Sequence, residues 1–138
     1  MFEHCLYFNT TALARRLEKE WTDAFAPFDL TPPQAFMLRT ILEKPGLLQR
    51  EIAELMAISR PTATRALDGL ATKGFIRRTA SGSDGRERSV QPTAAALEIH
   101  DALDEASRTV TTRLREVLSP ETFTDTVARI RGVRSALK

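Results

Sequence analysis

Cysteine is all but missing from this chain: among 138 residues only Cys5 carries a thiol, so an internal disulfide framework is excluded. Histidine is nearly as scarce. His4 and His100 stand far apart in sequence, no Cys/His set has zinc-finger spacing, and neither a metal nor a cofactor is expected. No glycine-rich phosphate loop of the G-x-x-x-x-G-K-[ST] kind is present, and no Ser/His/Asp set is brought together by the pattern, which leaves an enzyme reading without support. No apolar run is long enough to span a bilayer. The start, MFEHCLYFNTTALARR, has an acidic residue at Glu3 and lacks the basic-then-apolar layout of a signal peptide. The expectation is a cytoplasmic protein with no membrane partner.

What the sequence does contain is an ordinary globular composition with an uneven charge. The hydrophobic fraction is 42%, and the length suits one domain with a real core, over residues 1–138. The whole chain carries +2, yet residues 59–91 hold seven basic residues (Arg60, Arg65, Lys73, Arg77, Arg78, Arg86, Arg88) against three acids (Asp68, Asp84, Glu87). A basic block inside a slightly acidic body is the pattern of a face that meets phosphate. A solvated charged face is the competing explanation.

Apolar spacing and cap residues give the elements. Leu6, Leu13, Leu17, Trp21 and Phe25 fall on one face of a helix over roughly 3–26, ended by Pro27. Thr31 is a natural N-cap, with Pro32 and Pro33 in the first turn and Pro45-Gly46 as a stop. Phe36, Met37, Ile41 and Leu42 are expected inward on this second helix. LLQREIAELMAI reads as a short third helix. A tight turn follows, and then SRPTATRALDGLATKG, capped by Ser59 and closed by Gly74. FIRRT and RSVQPT read as two short strands around a Gly/Ser-rich tip. Thr93 caps a long helix over about 93–118, and Ser119 caps a last one. The fold class is mainly α with a small β-hairpin (α+β). The first helix and the last two, over about 3–26 and 93–137, carry apolar faces longer than one small core requires. They are expected to dimerise with a second copy of the chain.

Residues 48–73 form a helix-turn-helix pattern, and the hairpin after it has the placement of a wing, giving a winged helix-turn-helix over about 31–92. Ser59, Arg60, Thr62, Thr64 and Arg65 stand at the start of the second helix, where a recognition helix meets a major groove. Ser and Thr hydroxyls donate to phosphates or base edges, Arg grips guanine in a bidentate manner, and the helix N-terminus favours a nearby phosphate. Arg77, Arg86 and Arg88 on the wing are candidates for the DNA backbone and the minor groove. Asp84 is placed to hold the wing or orient Arg86. An exposed hairpin with solubilising charges is the alternative.

The stretch SRPTATRALDGLATKGFIRRTASGSDGRERSVQPT resembles the winged-helix segment of the multiple antibiotic resistance regulator (MarR) family. The matching marks are the Ser-x-x-Thr-x-Thr-Arg helix start, the Leu70-x-x-x-Gly74-Phe75-Ile76-x-Arg78 exit, and Asp84-x-Arg86 followed by Val90 and Thr93. LTPPQAFML resembles the family's second helix, and the helix order agrees over essentially the whole chain. Two departures concern the entry to the fifth helix: Pro92 stands where Leu is usual, and the run Ala94 to Ala96 replaces a Glu-Lys-Gly-like step. The resemblance implies a homodimer with intertwined terminal helices that binds near-palindromic double-stranded DNA, usually as a repressor. Its recognition helices would lie about 34–36 Å apart, one turn of the duplex.

The resemblance also implies release from DNA by an effector, and two kinds are weighed. Cys5 lies near the start of the first helix, as the reactive thiol does in the organic-hydroperoxide branch of the family. That branch also places tyrosines beside the thiol, whereas Tyr7 is the one tyrosine here. The other kind is a small aromatic or anionic ligand held between the dimer helices and the winged lobe, with Trp21, Phe25, Phe36 and Arg39 as candidate lining. A reading of a different class is a winged helix used for protein contact without DNA.

Overall fold

The computed structural model describes residues 1–82 and 87–137. Its order is α1 (Leu6–Phe25), α2 (Pro32–Glu43), α3 (Gln49–Met56), α4 (Arg60–Thr72), β1 (Ile76–Ser81), β2 (Glu87–Pro92), α5 (Ala94–Leu118) and α6 (Pro120–Ala136), with one turn of 3-10 helix at Ala26–Phe28.

Most helix boundaries follow from local chemistry. α1 starts at Leu6 and not at residue 3, because Cys5 is extended (φ −87, ψ 121) and its Sγ accepts from Phe8 N at 3.4 Å. Pro27 does not follow the last residue of α1 directly. It sits in the 3-10 turn, where its missing N–H costs nothing, and Asp29 at φ 55 then turns the chain. Thr31 and Gln34 form a capping box on α2: Thr31 Oγ1 accepts from Gln34 N at 3.3 Å, and Thr31 N donates to Gln34 Oε1 at 3.1 Å. The entry to α5 is pinned despite Pro92. Thr93 N donates to Phe75 O at 3.0 Å, Thr93 Oγ1 donates to Gly74 O at 2.6 Å and accepts from Ala96 N at 3.4 Å.

α2 lies at the centre of the lobe. Its Ala35, Met37, Leu38, Ile41 and Leu42 are buried in one cluster with Ile52 and Ala53 of α3, Ala63, Leu67 and Leu70 of α4, Ile76 and Val90 of the strands, and Ala96 and Leu103 of α5. Phe36, expected inward with Met37, is instead partly exposed, because Ala35 and Leu38 take the core side of α2. α2 and α4 approach closely at Gly69, where an added Cβ would lie 2.5 Å from Gln34 Nε2.

The hairpin has a third member that periodicity did not reveal. β1 and β2 pair antiparallel from Ile76↔Pro92 through Arg78↔Val90 to Ser81↔Glu87. On the other side of β2, Gly46 N donates to Val90 O and Val90 N donates to Leu47 O, both at 2.9 Å, and Leu48 bridges to Ser89. The chain leaving α2 therefore adds an edge to the wing. Gly46 adopts φ 92 to make this possible, a conformation that favours glycine.

The terminal helices extend past this core. Within the single chain Leu6 is 63% exposed, Val117 76% and Leu137 74%, and α6 has no buried residue among those described. The second half of α1 packs on α5, where Trp21 reaches Ser107 and an ion pair joins Glu20 to Arg113. No described helix is long and apolar enough to cross a membrane.

Candidate nucleic-acid interface

The turn between α3 and α4 is tight because Ala57 takes a left-handed conformation (φ 56), with its N–H donating to Glu54 O at 3.1 Å. Ile58 N then donates to Ala53 O at 3.1 Å, which closes α3. Ser59 caps α4: its Oγ accepts from Thr62 N at 3.3 Å and donates to Thr62 Oγ1 at 2.9 Å. Ala63, Leu67 and Leu70 bury one side of α4, which leaves Ser59, Arg60, Thr62, Thr64 and Arg65 exposed together on the other. Two of these are already tethered, since Arg65 Nη2 donates to Thr62 Oγ1 at 3.4 Å. Thr64 Oγ1 donates back to Arg60 O at 3.0 Å.

The strand register sorts the wing arginines. Arg78 lies opposite buried Val90, so it faces inward, where it pairs with Asp68 of α4 at 2.7 Å and reaches Gln49 Oε1 at 3.4 Å. Arg88, opposite Ala80, lies on that same face of the ribbon but nearer the tip and is exposed. Arg77, opposite Gln91, projects from the other face. Arg86 and Asp84 lie outside the described residues. Lys73, also in the basic block, is held by Asp29 and by Gln34 Oε1 and serves the α2–α4 contact.

Arg60, Thr64 and Arg88 come together around an open cleft of about 330 Å³ between α3, α4 and β2. Arg77 is not part of it. The cleft includes a residue that sequence reasoning missed, Arg50 of α3, whose Nε lies 3.1 Å from Glu87 Oε1. Its signal was absent from the chain order, because the partner stands 37 residues away. Arg60, Arg65, Arg77 and Arg88 have no carboxylate partner among the described residues. The result is a cationic surface built from a helix N-terminus and a β-ribbon, with its charge free to meet an anion.

A family profile described as the MarR family matches residues 28–87, from the 3-10 turn to the start of β2. The HTH-type transcriptional regulator YybA of Bacillus subtilis (strain 168) is 31% identical over 91 residues, covering 66% of this chain and 61% of that protein. The transcriptional repressor CouR, solved on a 23-mer DNA duplex, is 25% identical with a TM-score of 0.88, covering 96% of this chain and 94% of its own. Residues 28–87 carry a MarR-family segment. The S. aureus MepR–DNA complex, 20% identical, shares the fold with a TM-score of 0.86 over 99% of this chain and 100% of its own. The chain spans about three fifths of the length of the curated relatives it matches. Those relatives are transcriptional regulators.

The other residues singled out from sequence fall in two places. Cys5 is exposed at the N-cap of α1. Trp21, Phe25, Phe36 and Arg39 do gather. Phe25 meets Phe36 edge-on at 5.8 Å, Trp21 lies 6.4 Å from Phe36, and Arg39 stacks over the Phe36 ring at 5.2 Å. Phe25 is wholly in the core, and Trp21 Nε1 donates to Ser107 Oγ at 3.1 Å, so both serve packing. Phe36 and Arg39 instead line an open cleft of about 560 Å³ with Thr40, Glu43, Lys44, Leu55 and Asp104.

Proposed function

We propose that this chain is a homodimeric, sequence-specific DNA-binding transcriptional regulator that represses from a palindromic operator. The observation that carries the reading is the cleft where exposed Arg60 and Thr64 of α4 meet Arg88 of the wing, with no carboxylate neutralising either arginine among the described residues. In this reading α4 enters the major groove through Ser59, Arg60, Thr62, Thr64 and Arg65, while Arg77, Arg86 and Arg88 meet the backbone and minor groove. Asp84 supports the wing. CouR and MepR, both solved on DNA, lend support through the shared fold. The exposed apolar faces of α1, α5 and α6 supply the dimer contact, and the cleft of Phe36 and Arg39 accepts a small aromatic or anionic effector.

The experiment is operator binding by fluorescence anisotropy, on a duplex selected from genomic fragments. Arg88→Ala is expected to weaken binding about tenfold or more while leaving Tm within a degree or two, because the side chain is exposed. Affinity should also fall steeply as salt rises from about 50 to 200 mM. Unchanged affinity in the variant together with a flat salt dependence would favour a protein-contact role for the wing.

A further inference from the structure

Folding brings together three metal-ligating side chains that the sequence keeps apart. Glu43 ends α2, and His100 and Asp104 stand one turn apart on α5. One donor atom from each lies within 4.8 Å of the other two. His100 Nε2 is 3.4 Å from Glu43 Oε1 and 3.4 Å from Asp104 Oδ2. Those separations match the roughly 3.4 Å edge of a tetrahedron whose ligands lie about 2.1 Å from a central zinc-sized ion.

A second observation is independent of the spacing. His100 Nε2 is itself buried, and among the described residues it has no hydrogen-bond partner. A buried ring nitrogen without a well-aligned partner is costly to leave unsatisfied, and in the tautomer that leaves Nε2 unprotonated a cation between it and the two carboxylates would satisfy it. The surroundings are those of a supported ligand set. Arg39 Nε donates to Asp104 Oδ1 at 2.8 Å, which fixes that carboxylate with Oδ2 turned toward His100. Glu43 is exposed and leaves an entry path from the cleft beside it.

We propose that Glu43, His100 and Asp104 form a binding site for a divalent transition-metal cation of the zinc class, with its remaining position open to water. An imidazole nitrogen with only two carboxylates suits such an ion better than magnesium or calcium, which ask for six or more oxygen ligands. The ion would tie α2, at the centre of the winged lobe, to α5, which runs on to the terminal helices. Its control of operator affinity rests on the regulator reading above; the binding itself does not.

Equilibrium dialysis of chelator-stripped protein against buffered zinc, without DNA, tests the site. Wild type is expected to hold about one ion per chain, with affinity about tenfold or more weaker in His100→Gln and in Glu43→Gln. Glu43 is exposed at a helix end, so its variant carries the test should the His100 variant fail to fold. The double variant His4→Gln, Cys5→Ser should retain the ion. Cobalt(II) supplies a spectroscopic check: the site predicts visible d–d bands without a near-ultraviolet thiolate band. Failure of zinc to bind, binding indifferent to both single variants, or a thiolate band each overturns the site. Zinc should then change operator affinity by about fivefold or more in wild type and not in Glu43→Gln. Binding without that change overturns the regulatory link, whereas absence of DNA binding under any condition counts against the regulator reading alone.

Discussion

Ser59 has two demands on one hydroxyl: it satisfies the first turn of α4, and it stands where that helix would meet DNA. Its Oγ both accepts from Thr62 N and donates to Thr62 Oγ1, so the first demand is met within the chain. Ser59→Ala should therefore cost about 1 kcal/mol of stability in urea unfolding, the usual worth of an N-cap. It should cost operator affinity as well, by freeing Thr62 and Arg65 from their shared geometry. Loss of affinity with no change in unfolding midpoint would show that the cap is not structural. The deep interior behaves differently. Leu67 of α4 is fully buried in the core, and Leu67→Ala should destabilise by about 2–5 kcal/mol by the same measurement. Single residues of this kind were legible from sequence, because caps and apolar spacing are local. Arg50 was not, and neither was the grouping of Glu43 with His100 and Asp104, because nothing in chain order announces a partner dozens of residues away.

At the scale of elements, α2, α3, α4 and the two strands stand where capping residues, prolines and Gly74 place them. Gly74 has the left-handed φ of 80 that its position after α4 requires. The edge formed by residues 46–48 escaped, since three residues carry no period and their pairing with β2 is long-range. That edge makes Gly46 a sensitive position. At φ 92, Gly46→Ala strains the backbone, and the added Cβ would meet Gln91 Nε2 at 3.1 Å. The expected loss is about 1–2 kcal/mol. Hydrogen exchange should localise it, with faster exchange at the Val90 amide than in α4. Uniform loss of protection would mean that the edge does not hold the wing. Arg86 and Asp84 lie outside the described residues, and DNA binding by Arg86→Ala and Asp84→Ala tests their proposed roles.

For the whole molecule, the apolar faces outside the lobe are the surface on which the proposed dimer rests. An apolar groove between α1 and α6 is lined by Leu6, Tyr7, Ile130, Val133 and Leu137. Placing charge there with Ile130→Asp and Val133→Asp should convert the proposed dimer to a monomer in light scattering at micromolar concentration. Operator affinity should fall by more than tenfold, because two half-sites are no longer joined. A variant that stays dimeric would place the interface elsewhere. The winged lobe was readable from sequence as a unit because its signals are dense and local. The packing of α1, α5 and α6 was readable only as an excess of apolar surface, whose covering partner a single chain does not reveal.

The ion pair between Arg78 and Asp68 and the edge at residues 46–48 tie the ribbon to the helices beside it, so in the proposed dimer each lobe is expected to move as one stamp. In the proposed dimer, any adjustment to a target must come from how two stamps are set relative to each other. Inserting one base pair between half-sites, which swings one of them by roughly 35° around the duplex axis, should then be far more damaging than a single base change inside either half.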